Sequence, residues 1–110
     1  MAPRRASPAP GAVSPPLIVN GYDIYDRLAA CESAGDLDTS DGLRINPRAY
    51  NPSGPFYGAF QFLMSTWRNI GGTGDPRDHS YAEQKDRVIA GIPRSSWHSQ
   101  FPHCSRAIGA

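Results

Sequence analysis

Cys31 and Cys104 are the only cysteines of a chain of 110 residues, and they stand far apart in it. That length allows one domain at most. A domain so small buries only part of its surface, and its stability is marginal without a staple. A bridge between the two thiols would close a loop of about 70 residues and contribute about 4 kcal/mol in the chain-entropy treatment. That is a large share of the stability of a small domain, and it would demand an oxidising compartment. Two buried free thiols fit the same spacing, so the residues by themselves leave both readings open.

Five of the eleven prolines fall in the first sixteen residues, among Ala, Ser and Arg. Such a composition packs no core, and residues 1–19 are expected to form an extended, flexible arm. Residues 20–110 remain to fold. Apolar residues make up 39% of the chain, with two Trp, five Tyr and four Phe, which is enough for a small core and argues against disorder of the whole. The net charge is +1 and no face is strongly basic, so nucleic acid is not an expected partner. No apolar stretch is long enough to insert into a membrane. The start carries Arg4 and Arg5, but its longest apolar run is Leu17-Ile18-Val19, which does not read as a secretory signal. Either a signal has been removed, or the protein leaves its cell by another route such as lysis or virion assembly.

The periodicity predicts a first helix over 21–34, with Asn20 as its cap and Asp23 three residues on. Ile24, Leu28 and Cys31 would face the core. Tyr25, Leu28 and Glu32 share a neighbouring face, with Glu32 near the helix C-terminus. The negative dipole end there would tend to raise its pKa. Residues 35–56 are rich in Gly and Pro and read as loop, with a turn at Asn51-Pro52-Ser53-Gly54. Residues 57–62 look extended. A short helix over 65–70 stops at Gly71-Gly72. Ser80 and Glu83 have capping-box spacing and start a further helix whose apolar stripe is Val88, Ile89 and Ile92, ended by Pro93. The stretch 95–104, with Trp97 and Phe101, should pack back on the first helix.

Three segments carry a resemblance: YDRLAACESAGDL (25–37), YGAFQFLMSTWRNIGGTG (57–74), and AEQKDRVIAG (82–91) followed by SWHSQFPHCS (96–105). In order, spacing and content they resemble the catalytic domain of resuscitation-promoting factors, which are actinobacterial secreted muralytic proteins. The similarity covers residues 22–106. The combination of a Cys-Glu-Ser triplet, a Tyr-Gly-x-x-Gln-Phe turn, a Ser-Thr-Trp helix and a terminal Pro-x-Cys is specific, whereas any one alone is weak. The resemblance implies a mainly α (α+β), lysozyme-like domain with a short vestigial sheet. It also implies one disulfide between Cys31 and Cys104, and a single catalytic glutamate carried by Glu32. Tyr25 and Leu37 depart from the pattern, standing where that family usually has Trp. The stretch INPRAYNPSGPFYGAFQF (45–62) lengthens the loop and looks more like that of soluble lytic transglycosylases and some phage tail lysozymes.

Glycosidic cleavage needs an acid that protonates the leaving oxygen, and it works best with a pKa raised by an apolar pocket. A helix-end Glu32 beside Leu28, Tyr25 and Tyr57 would have one. Most glutamates are simply solvated, so the assignment leans on the resemblance. Asp36, Asp38 and Asp41 are the nearest candidates for a second carboxylate and read more readily as solvated loop acids. A lytic transglycosylase needs none, because the substrate's own hydroxyl attacks and the glutamate takes a proton back. The related families line the sugar cleft at Tyr57 and Gln61, and Thr66 is a further candidate there. Ser33 would bond Glu32 or cap the helix end. Trp67 and Trp97 read as core. His79, His98 and His103 lack metal-ligand spacing, and Gly71–Gly74 lacks the Lys-Ser/Thr of a phosphate loop. No metal and no cofactor are expected.

The leading expectation is therefore an extracellular, wall-associated or virion-associated enzyme acting on peptidoglycan glycan strands as a lytic transglycosylase or muramidase. A glycan-binding module that has lost activity is the first alternative. A structural component of a phage tail, partnered by tail or other cell-wall proteins, is the second.

Overall fold

A computed structural model describes residues 18–110, so most of the arm expected over residues 1–19 lies outside the described residues. Its last two residues form strand β1 (Ile18–Val19), which pairs antiparallel with β2 (Tyr22–Asp23). The two-residue connection is Asn20-Gly21, with φ of 52° and 85°. Both residues are left-handed, as the tightest hairpin turns require, and Asn-Gly is the pair that tolerates this most readily. The expectation of a helix capped by Asn20 is thereby corrected. Helix α1 (Ile24–Ala34) begins three residues later, and its cap is Asp23, whose carboxylate accepts from the Asp26 N–H.

Strands β3 (Tyr50–Asn51) and β4 (Phe56–Tyr57) form a second antiparallel hairpin around the Pro52–Pro55 turn. Only the start of the expected 57–62 extended segment is strand. Gly58 and Gln61 both have positive φ, and the chain doubles back so that Tyr57 and Phe62 exchange backbone hydrogen bonds. Helices α2 (Met64–Asn69), α3 (Tyr81–Gly91), α4 (Trp97–Gln100) and α5 (Pro102–Ala107) complete the mainly helical domain. Short 3-10 turns lie at Thr39–Asp41, Pro76–Asp78 and Arg94–Ser96.

The expected capping box of α3 is present. The Ser80 hydroxyl accepts from the Glu83 N–H, and the Glu83 carboxylate accepts from the Ser80 N–H. The expected apolar stripe is only partly so: Val88 and Ile92 are buried, but Ile89 is 50% exposed, because one helical step carries it off the inward face.

The core gathers Ile24 and Leu28 from α1, Phe60 and Phe62 from the turn after β4, and Trp67, Val88, Trp97 and Phe101 from the later helices. Both tryptophans are core residues, as expected, each 1% exposed, and each indole N–H finds a backbone carbonyl, of Thr73 for Trp67 and of Ile92 for Trp97. Cys31 of α1 and Cys104 of α5 form a disulfide with 5.7 Å between Cα atoms. This bridge, together with the Arg27 guanidinium donating to the Ile108 carbonyl, fastens the end of the chain along α1.

At the other end of α1, Lys85 donates to Asp23 at 2.6 Å and Asp26 at 3.1 Å, and the Tyr81 hydroxyl donates to Asp26. Burial and these acids push the Tyr81 phenol well above its ordinary range. The hydrogen bonds to Asp23 and Asp26 outweigh burial at Lys85 and raise its pKa. Helix α1 is thus fixed to α5 at its C-terminal half and to α3 at its start.

Candidate active site

Glu32 occupies the last turn of α1. The helix stops at Gly35, whose φ of 62° suits glycine. The Gly35 and Asp36 N–H groups return to the carbonyls of Cys31 and Ala30. Beyond this stop the Glu32 side chain opens into a cavity of about 250 Å³ lined by Asn51, Phe56, Gln61, Gln100, Pro102 and His103. Four separate segments supply these walls: the β3–β4 hairpin, the turn after it, α4 and α5. Burial raises the Glu32 carboxyl from 4.5 to about 7. Desolvation penalises the charged form and keeps much of the group protonated near neutral pH.

The apolar neighbours of Glu32 differ from those expected. They are Phe56 and Pro102 rather than Tyr25 and Tyr57. Tyr25 turns to the core and packs edge-on against Trp97 at 5.4 Å. Its ring keeps an aromatic at this departure from the family pattern. Leu37, the other departure, is 55% exposed.

The remaining expected site residues divide. Gln61 lines the Glu32 cavity and donates through its amide to the Gly58 carbonyl, which fixes the side chain against its own turn. Tyr57 lies outside the lining. Its ring is 5.3 Å from that of Tyr50, and the Arg77 guanidinium sits 5.0 and 5.1 Å from the two ring centres. Thr66 borders an adjoining depression of about 300 Å³, between α2, the end of α3 and α4. Gln100 borders both hollows. Ser33 does not bond Glu32. Its hydroxyl donates to the Ala29 carbonyl one turn back and accepts from the Asn46 N–H, which ties the following loop to the helix end.

No carboxylate besides Glu32 lines its cavity. The Asp36 carboxylate accepts from the N–H groups of Arg44 and Asp38 and lies 3.6 Å from the Arg44 guanidinium. These bonds hold its pKa below the usual carboxylate range. Asp38 is lowered in the same way by the Ser40 hydroxyl and N–H. Asp36, Asp38 and Asp41 surround a hollow of their own with Arg44. The hydrogen bonds of Asp36 and Asp38 organise the loop.

Asn51, Phe56, Gln100, Pro102 and His103 are cavity residues that the sequence reading passed over. A signal existed for two of them. Once Cys31 pairs with Cys104, the residues beside them, Glu32 on one side and His103 and Pro102 on the other, are brought to the same place.

The sequence profile of the Transglycosylase-like domain matches residues 19–104. The chain is similar to the resuscitation-promoting factor Rpf of Micrococcus luteus, with 37% identity over 89 residues, covering 79% of this chain and 34% of that protein. It is 32% identical over 108 residues to resuscitation-promoting factor RpfE of Mycobacterium tuberculosis, covering 96% of this chain and 54% of that protein. Rpf1 of Corynebacterium glutamicum is 30% identical over 89 residues, covering 77% and 39%. The chain thus spans between a third and about half of the length of these relatives. With its helical architecture, its disulfide and the extent of the profile match, the chain belongs to the transglycosylase-like domain family, as a lysozyme-like domain of the resuscitation-promoting-factor kind.

Proposed function

We propose that the chain cleaves the glycan strands of peptidoglycan, between N-acetylmuramic acid and N-acetylglucosamine, as a lytic transglycosylase with Glu32 as acid and then base. The observation that carries this reading is one protonatable carboxyl, raised to about 7, in a cavity lined by no second carboxylate. Glu32 gives its proton to the glycosidic oxygen, and the bond from that oxygen to the muramic acid C1 breaks. The sugar's own 6-hydroxyl closes on C1, and the Glu32 carboxylate takes the hydroxyl proton. The products are a 1,6-anhydro end and a free N-acetylglucosamine hydroxyl, with no water consumed. Asn51, Gln61 and Gln100 supply neutral amides, which can donate to and accept from sugar hydroxyls. The second hollow, bordered by Gln100 and Thr66, offers room for the strand on one side of the cleaved bond. The disulfide favours an extracytoplasmic, wall-facing setting.

Mass spectrometry of products from purified sacculi tests the proposal, with Glu32→Gln beside the wild type. Anhydro-muropeptides from the wild type alone are expected. Reducing-end sugars would make the enzyme a hydrolase and direct attention to the Asp36–Asp41 loop. No product from either protein, with binding retained, would leave a glycan-binding module.

A further inference from the structure

The β3–β4 hairpin has two faces, and one of them belongs to the Glu32 cavity. Side chains alternate along a strand, and residues paired across a hairpin share a face. Asn51 is paired with Phe56, and both line the cavity. Tyr50 is paired with Tyr57, so their rings share the opposite face, with centres 5.3 Å apart. Arg77, from the turn at Pro76–Asp78, packs on that outer face. Its guanidinium lies 5.0 Å from the Tyr50 ring centre and 5.1 Å from that of Tyr57. Asp75 holds the guanidinium in turn. The Arg77 Nε donates to both carboxylate oxygens at 3.1 Å, and its Nη2 donates to Oδ2 at 2.7 Å. These bonds keep the Asp75 carboxyl below the usual carboxylate range. Arg48, just ahead of β3, donates through Nη1 to the Arg77 carbonyl at 3.1 Å. The hairpin thus meets the Pro76–Asp78 turn through Arg77.

We propose that Arg77 is a positioning residue of the cleavage site, which braces the hairpin from its outer face and so holds Asn51 and Phe56 in place as a wall of the Glu32 cavity. The inference deepens the glycan-cleaving reading above and rests on it. Arginine suits the task because its planar fork pairs with a carboxylate and lies on aromatic rings at once, which the point charge of lysine does not. The wall serves the reaction in two ways. It helps to keep water from the Glu32 carboxyl, whose raised pKa has burial as its cause. It also presents the Asn51 amide to a sugar. When the brace is lost, the hairpin moves and both are lost together, although Arg77 touches neither the cavity nor the substrate.

Two readouts test this on the full chain, with Arg77→Met beside the wild type and a thermal melt confirming that both are folded. The first does not depend on activity: the Glu32 carboxyl carbon followed by NMR across pH. In Arg77→Met its midpoint is expected to fall from about 7 toward the 4.5 of a solvated carboxyl. The sign is diagnostic. Loss of a cation acting only through its charge would disfavour the carboxylate and raise the midpoint, whereas entry of water lowers it. A midpoint that stays or rises in the folded variant overturns the proposal. The second readout is kcat/KM for anhydro-product release, expected to fall about tenfold as the wall loses its place, with the alkaline limb moving to lower pH alongside the Glu32 midpoint. Should Arg77→Met fail to fold, Tyr50 serves instead, since it is 49% exposed and outside the core. Tyr50→Leu should lower the Glu32 midpoint, and Tyr50→Phe, which keeps the ring, should leave it in place. Equal midpoints in these two and the wild type overturn the brace. A lowered midpoint in variants of a chain that releases no product would support the brace and count against the enzymatic reading.

Discussion

Glu32 is a carboxyl kept partly from water, and that placement costs stability in a defined pH window. Its pKa is about 7 in the folded chain against a reference of 4.5. The native state therefore holds a proton that the unfolded state releases first. Stability associated with this group is fully present below about 4.5 and is lost as pH rises through about 7. Each pKa unit corresponds to 1.36 kcal/mol, and the partial exposure of the side chain reduces the total to on the order of 1–2 kcal/mol. Glu32→Gln should then melt higher than the wild type at pH 8 and at nearly the same temperature at pH 4. A difference between the two melting curves that does not change with pH would show that Glu32 is solvated like an ordinary surface glutamate. The position of Glu32 was legible in the sequence, because helical spacing and the Cys-Glu-Ser triplet both marked it. Its environment was not. Phe56, Pro102 and His103 line its cavity from distant segments, whereas Tyr25, about two turns away on the same helix and the neighbour expected from local spacing, packs on Trp97.

At the scale of elements, features written in a few adjacent residues could be read directly. The Ser80–Glu83 box and the Gly71-Gly72 stop are local chemistry, and both helices fall within a residue or so of expectation. The start of α1 was misread because Asn20 suits two roles, helix cap and left-handed hairpin turn. Gly21 beside it decides for the turn. The long loop before α2 shows what sequence periodicity cannot reach. Gln84 is wholly buried on α3, where a polar residue has no pattern to announce it. Its side-chain carbonyl accepts from the Ala59 N–H at 2.7 Å, and its amide donates to the carbonyls of Pro47 and His79 at 3.0 Å each. One side chain thus fastens both ends of the 47–59 segment, which carries Asn51 and Phe56 of the cavity. The φ of Gly58 is 84°, and a Cβ there would run into the Gln84 carboxamide, so only glycine lets the segment close down. Gln84→Leu leaves buried backbone groups without partners and should cost about 2–3 kcal/mol. Amide exchange at Gly58 and Ala59 should quicken by more than that of the α1 core. Exchange that rises evenly through the domain would mean that Gln84 supports general stability and does not hold the loop.

Over the whole molecule, one covalent bond joins stability to the site. The bridge spans 73 residues of sequence and ties the first helix to the last. In the chain-entropy treatment a loop of that length contributes about 4 kcal/mol, of the same order as the total stability of a small domain. Its second effect is positional, since the α5 wall of the cavity, Pro102 and His103, is adjacent to one end of the bridge and Glu32 to the other. The two effects can be separated by replacing Cys31 and Cys104 together with serine. The double variant should melt about 15–25 °C below the wild type, the shift that such a loss implies for a domain of this size. At a low temperature where circular dichroism shows it still folded, its release of glycan products should also fall, about tenfold or more, because α5 is no longer fastened against the end of α1. A folded double variant that cleaves at the wild-type rate would mean that packing of Trp97, Phe101 and Ile108 alone sets the wall of the site, and that the disulfide serves only to narrow the unfolded ensemble.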